Sequence, residues 1–365
     1  MGEVPFPLVD RVRDRARLAG EGPVYAALDL GTNNCRLLIA KPSERGFTIV
    51  DAFSRIVRLG EGLSESGELS PAAMERALGA LTVCAERIRK RRVLKVRAVA
   101  TQACRLARNG SNFVAEAARR TGLQLAIIAP REEAQLAVAG CLNLLDTRAK
   151  AALVLDVGGG STELSWLDLA SEGLDVEPRR LAHWRLPIKS WVSVPIGVVT
   201  LAERFPEAGA GEGWYRAMVD HVKTEIAAFT GAKGFAEVFY AGEAHMVGTS
   251  GAITSLAALH LRLARYDRAR VDGLWMTRAD CDAVTETLTG LTQAQRAALG
   301  PIGPDRADLV LAGAAILQAV QEVWPCERVR VADRGLREGL LLSLMSLEQR
   351  RRPRRRRGSR SPGRR

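Results

Sequence analysis

Two stretches of this chain, 127 residues apart, share one pattern, and that pattern limits the fold more than any other feature. The first, VYAALDLGTNNCRLLIA (Val24 to Ala40), sets an apolar run, Asp29, Gly31, a polar bend and a second apolar run in order. The second, AALVLDVGGGSTELSWL (Ala151 to Leu167), repeats that order, with Asp156 and Gly158 at the matching places. Short apolar runs on either side of a Gly-rich bend read as two strands of a β-hairpin. One such hairpin in each half points to a duplicated α/β fold whose halves face each other across a cleft.

The three adjacent glycines raise a choice between a turn that saves space and a cradle that meets a phosphate. Glycine tripeptides are entropically costly, so something there needs bare backbone. The dinucleotide fingerprint and the P-loop both run from a Gly-rich turn straight into a helix, and the P-loop ends in Gly-Lys-Ser/Thr. Here STELSWLDL follows, alternating polar and apolar, with no lysine. A second strand is therefore expected, and the P-loop reading falls. Backbone N–H groups in two facing bends are suited to grip an anion chain from both sides.

Between the hairpins, VRAVAT reads as a strand with Arg105 just past its carboxyl end, where ligands of open α/β sheets collect. Its planar guanidinium suits either a phosphate or a surface ion pair. PREEAQLAVAGC begins a helix with Glu132 and Glu133. Acids in a first helical turn complement the helix dipole, yet a carboxylate here is also placed to activate water. Spacing alone does not choose between the two glutamates. Farther on, Thr249, Ser250 and Gly251 open an apolar helix, a pattern shared by anion sites and plain caps.

A length of 365 residues exceeds what one core usually supports, so two domains are expected. We divide the chain into a flexible extension at 1–22, a first domain at 23–135, a second at 136–348 whose last helix is free to return onto the first, and a tail at 349–365. The net charge of +12 suggests nucleic-acid binding until it is located. Ten arginines and no acid fall in QRRRPRRRRGSRSPGRR, leaving +2 on the other 348 residues. The basicity belongs to a tail expected to be disordered, read either as a solvated extension or as an electrostatic grip on polyanions such as polyphosphate or nucleic acid. No run approaches a membrane span or a secretory signal, and Phe6 stands where a myristoylation signal needs Ser or Thr. Six scattered cysteines and four scattered histidines argue against zinc and structural disulfides, and a reducing cytoplasm is expected.

The motif series LDLGTNNCRLLIA, ATQACRLARNGSNF, PREEAQLA, LDVGGGSTELSWL, VPIGVVTLAERF and VGTSGAITSL resembles that of the exopolyphosphatase and guanosine pentaphosphate phosphohydrolase (Ppx/GppA) family, from about Val24 to Leu347. Each motif is weak alone, and six in this order are specific. The resemblance implies two actin-like (ribonuclease H-like) domains around a cleft. It makes Glu133 the general base. It matches Asp156 and Glu163 to an acidic pair that serves catalysis and holds magnesium, possible also with manganese, with Asp29 as a further metal ligand. Gly158, Gly159, Gly160, Ser161 and Thr162 match the phosphate cradle; Thr32, Asn33, Arg36, Arg105, Thr249, Ser250 and Gly251 complete the phosphate contacts. Asn34 replaces a usual Ser or Thr, which puts one hydroxyl contact in doubt.

What the resemblance implies is release of terminal phosphate from polyphosphate or guanosine pentaphosphate by a water in line with the leaving oxygen, which calls for positioning and charge neutralisation more than covalent help. Long relatives carry a further helical domain that grips long chains, and the chain ends before one could form, so shorter chains and guanosine pentaphosphate stay live substrates. Family members often dimerise. Two rival classes remain: an actin-like or sugar-kinase-like ATPase, and a non-catalytic polyanion-binding protein for which the acidic set has no use.

Overall fold

The computed structural model describes residues 22–44, 46–170 and 186–351, with side chains described up to residue 346. The expected flexible extension and most of the arginine tail lie outside these ranges. Both Gly-rich stretches form the hairpins their alternation implies. β1 (Tyr25–Leu30) and β2 (Asn34–Ser43) pair antiparallel, as do β6 (Ala151–Val157) and β7 (Thr162–Asp168).

The duplication extends well beyond the hairpins. In the first sheet, β3 (Gly46–Ile56), β4 (Lys95–Ala100) and β5 (Leu125–Ile127) complete the order β3-β2-β1-β4-β5. In the second, β8 (Ile188–Val194), β9 (Ala244–Thr249), β10 (Trp275–Thr277) and β11 (Arg328–Ala332) give β10-β11-β9-β6-β7-β8. Each half is thus an antiparallel meander whose first strand is joined by parallel neighbours, and β10 is an extra edge strand. The central strands of both sheets are covered by helices on both faces, so β1 and β6 are almost entirely apolar and buried.

Each half has its own core. One is built around Leu28, Leu37, Leu81 and Phe113, the other around Trp166, Met246, Leu256 and Ile316. The closing helix (Leu336–Arg351) departs from this symmetry. Its Leu340, Leu341 and Leu344 pack with Tyr25, Ala27, Leu38 and Leu136, against the first sheet and the glutamate helix (Pro130–Cys141). Gly339 lets the two helices touch, because a Cβ there would lie 2.0 Å from the Leu136 carbonyl oxygen. This contact brings the chain's last described segment to the wall of the cleft. No described helix is long and apolar enough to cross a membrane.

Candidate active site

The two bends are built alike. Gly31 N–H donates to Asn34 O at 2.8 Å, and Gly158 N–H donates to Ser161 O at the same distance. Parallel neighbours and helices fix both hairpins, so their tips meet. A Cβ on Gly159 would lie 2.9 Å from Asn33 N, and one on Gly160 would lie 2.2 Å from Gln102 Oε1 and 3.0 Å from Thr32 Oγ1. Gly197 closes the contact from behind, where a Cβ would lie 2.4 Å from both Gly159 C and Gly160 N.

None of Gly158, Gly159 or Gly160 has a positive φ. Close approach, not handedness, is why they must be glycine. Gly159 is approached by the Asn33 backbone of the opposite hairpin, Gly160 by the Gln102 and Thr32 side chains, and Gly158 by Ser161 O of its own hairpin. Turn saving and cradle turn out to be one device: small tips that meet while leaving the N–H groups of Thr32, Asn33, Gly159 and Gly160 without an acceptor among the described residues. Unpaired backbone donors of this kind suit an anion.

Four carboxylates converge behind the tips. Asp156 stands directly across the hairpin from Glu163, and Asp29 directly across from Arg36. Burial and then the neighbouring Glu163 push Asp156 up to about 8. Burial raises Asp29, with Arg36 and Arg337 opposing the rise. Glu163 is also raised by burial, against a hydrogen bond donated by Ser193 Oγ at 2.7 Å. Ser193 carries no motif and became visible only through this contact.

The structure separates the two glutamates of the helix. Glu132 turns outward to pair with Arg97. Glu133 is buried, lines the cleft, and is raised well above the usual carboxylate range by burial and then by Glu163. Arg105, expected as a phosphate ligand, is engaged with protein groups in the structure. Its Nη1 donates to Ile128 O at 2.7 Å and to Glu133 Oε2 at 3.3 Å, and it does not line the cleft. The strand end that sequence placed beside the ligand instead aims this guanidinium at the glutamate, where its charge opposes the rise. Thr162 also turns away: its hydroxyl donates to Ile196 O at 2.6 Å.

Thr249 and Ser250 sit on the cleft wall with their hydroxyls engaged. Thr249 Oγ1 donates to Arg334 O at 2.5 Å, and Ser250 Oγ caps the following helix by accepting from Ala252 N at 3.2 Å. Gly251 opens onto two guanidinia. A Cβ there would lie 3.4 Å from Arg36 Nη2 and 3.9 Å from Arg306 Cζ. Arg306 and Arg337 line the same 990 Å³ cleft, and neither forms an ion pair among the described residues. Both escaped the sequence reading, since each reaches the site through a fold contact far along the chain and carries no local pattern.

The donor set suits a hard cation. Asp29 Oδ1, Asn33 Oδ1, Asn34 Oδ1 and Gln102 Oε1 are buried acceptors without a donor. Among the described residues no three His, Cys, Asp or Glu side chains form a cage by themselves. Magnesium typically takes one or two carboxylates and completes its shell with water and substrate oxygens, so these acceptors and the Asp156–Glu163 pair fit it.

A sequence profile of the Ppx/GppA phosphatase family matches residues 38–348. Exopolyphosphatase 2 of Mycobacterium tuberculosis is 32% identical over 336 residues, covering 87% of this chain and 98% of that protein. A guanosine-5'-triphosphate,3'-diphosphate pyrophosphatase of Aeromonas hydrophila is 29% identical over 324 residues, and the match spans 88% of this chain but 60% of the longer relative. Among solved structures, the Aquifex aeolicus Ppx/GppA family member superposes with a TM-score of 0.69 at 27% identity, covering 89% of this chain and 98% of that one.

Proposed function

The chain belongs to the Ppx/GppA phosphatase family, and we propose that it hydrolyses phosphoanhydrides, releasing terminal phosphate from inorganic polyphosphate, from guanosine pentaphosphate or from both. The observation that carries this reading is the buried Glu133, held by Arg105 and facing the two opposed hairpin tips.

The free N–H groups of both tips bind the terminal phosphoryl group, and Arg36 and Arg306 bind the oxygens of the chain behind it. Water attacks the terminal phosphorus, the anhydride P–O bond breaks, and the shortened chain keeps the bridging oxygen. The proton of the attacking water passes to Glu133. Burial raises this carboxyl above its usual range and so makes it a stronger proton acceptor. Arg105 fixes its orientation, and Ser193 fixes Glu163. Magnesium, held by Asp156 and Glu163 with Asp29 nearby, would neutralise phosphate charge. The arginine-rich end is proposed to add electrostatic attraction for long chains.

The test compares long polyphosphate, short polyphosphate, guanosine pentaphosphate and ATP under identical conditions, with and without magnesium. Magnesium-dependent release from a polyphosphate or the pentaphosphate supports the reading. Release from ATP alone moves the chain to the actin-like ATPases, and release from none leaves a binding protein.

A further inference from the structure

A second cavity of 540 Å³ adjoins the hairpin tips at Thr32 and Gly160, and none of Asp29, Glu133, Asp156 and Glu163 lines it. The Leu63–Gly67 segment, Ala103 and Leu106 form one wall, and Pro195, Ile196 and the Val198–Arg204 helix form the other. Thr32, Gln102 and Gly160 line both this cavity and the main cleft, so these three residues are the partition between them. From the partition, we propose that this cavity is the exit through which released orthophosphate leaves while the remaining chain stays in the cleft. The inference rests on the hydrolase reading above.

Removal of a terminal phosphate leaves the product at the inner end, with the shortened chain between it and the cleft mouth. The cleft is also bridged, since Arg58 Nη1 and Nη2 contact Asp308 at 2.8 and 3.1 Å from opposite halves of the molecule. Product that cannot move forward must wait for the chain to leave or pass the partition. That partition is made of side chains and one glycine, and its largest member is Gln102. Gln102 is a flexible side chain only 5% exposed, and its Oε1 has no donor. A rotation about its terminal bond would present its amide N–H groups to a passing anion.

Charge distinguishes the two spaces. Eight arginines and seven carboxylates line the main cleft, and Arg36, Arg306 and Arg337 form no ion pair among the described residues, which leaves them for a polyanion. The second cavity has one arginine, Arg204, against Glu65 and Glu203. Arg204 forms no ion pair among the described residues, and His221 stands near it. A single phosphate meets donors there without being trapped.

The test obstructs the cavity at its rim. Leu106 is 60% exposed, so Leu106→Trp leaves the core untouched; Glu65→Trp, at another exposed residue of the lining, obstructs the cavity independently and serves if the first variant misfolds. Cleavage is followed by rapid quench in a single turnover on polyphosphate, and phosphate release by a fluorescent phosphate sensor at steady state. Obstruction is expected to lower steady-state release by about fivefold or more while the single-turnover rate stays unchanged, making product release limiting. Equal steady-state rates in wild type and variants, or a parallel fall in both measurements, would overturn the exit. Absence of any phosphoanhydride cleavage by the wild type would instead overturn the hydrolase reading beneath it.

Discussion

Asp156 and Glu163 occupy directly opposed positions in the second hairpin, where the first hairpin places Asp29 opposite Arg36. Asp29 and Asp156, and likewise Arg36 and Glu163, are 127 residues apart, so the two hairpins share a register and differ in one partner, a base in the first and an acid in the second. The second half therefore concentrates negative charge that the first half balances.

This arrangement predicts an inverted pH response. Asp156 is pushed up to about 8 in the folded protein, against roughly 4 when unfolded. The folded form binds more protons between those values, so the stabilising contribution is complete below about pH 4 and is lost as pH rises through 8. Asp156→Asn should then raise stability at pH 8, by up to about 5 kcal/mol on that rise, and change it much less at pH 4.5. Melting curves in chelator measure this. Added magnesium should raise the wild-type Tm at pH 8 more than that of the variant, and equal shifts would remove Asp156 from the metal site.

The glycines make a prediction about packing. Gly160→Ala meets Gln102 Oε1, the end of a flexible side chain, whereas Gly197→Ala meets backbone at 2.4 Å. Overpacking typically costs about 1–3 kcal/mol. Gln102→Ala should recover most of the loss caused by Gly160→Ala and none of that caused by Gly197→Ala. Denaturant midpoints in the two double-mutant cycles decide it.

Arg58 and Asp308 join the halves by a bidentate pair that is about one-third exposed. Exposure limits its worth to about 1 kcal/mol. Asp308→Ala should raise the KM for polyphosphate about threefold to fivefold with kcat held within twofold, because closure positions substrate without touching the reacting atoms. An unchanged KM in a folded variant would show that the bridge does not help hold the chain.

These residues also show where sequence reading succeeds and stops. The hairpins were legible because strand alternation, an aspartate and glycines recur at fixed intervals, all of it local chemistry. The purpose of Gly159 and Gly160 was only half legible, since their closest neighbours, Asn33 and Gln102, come from a different hairpin and a different helix. Arg105 illustrates the same limit: its place after β4 was right, but the side chain turns toward Glu133, which lies on another element. Glu132 and Glu133 differ by one helical step of 100°, and only the position of the helix on the sheet decides which faces inward. Arg306, Arg337 and Ser193 reach the site through tertiary packing alone.

The most direct test of the account is Glu133→Gln, measured for binding and for turnover on the same polyphosphate with magnesium present. The amide keeps shape and much of the hydrogen bonding but cannot take a proton. Loss of a general base typically costs about 10²–10⁴ in rate. The account predicts a fall in single-turnover cleavage of that size, with a dissociation constant within about threefold of wild type and an unchanged fold. Comparable cleavage by a folded Glu133→Gln protein would contradict it.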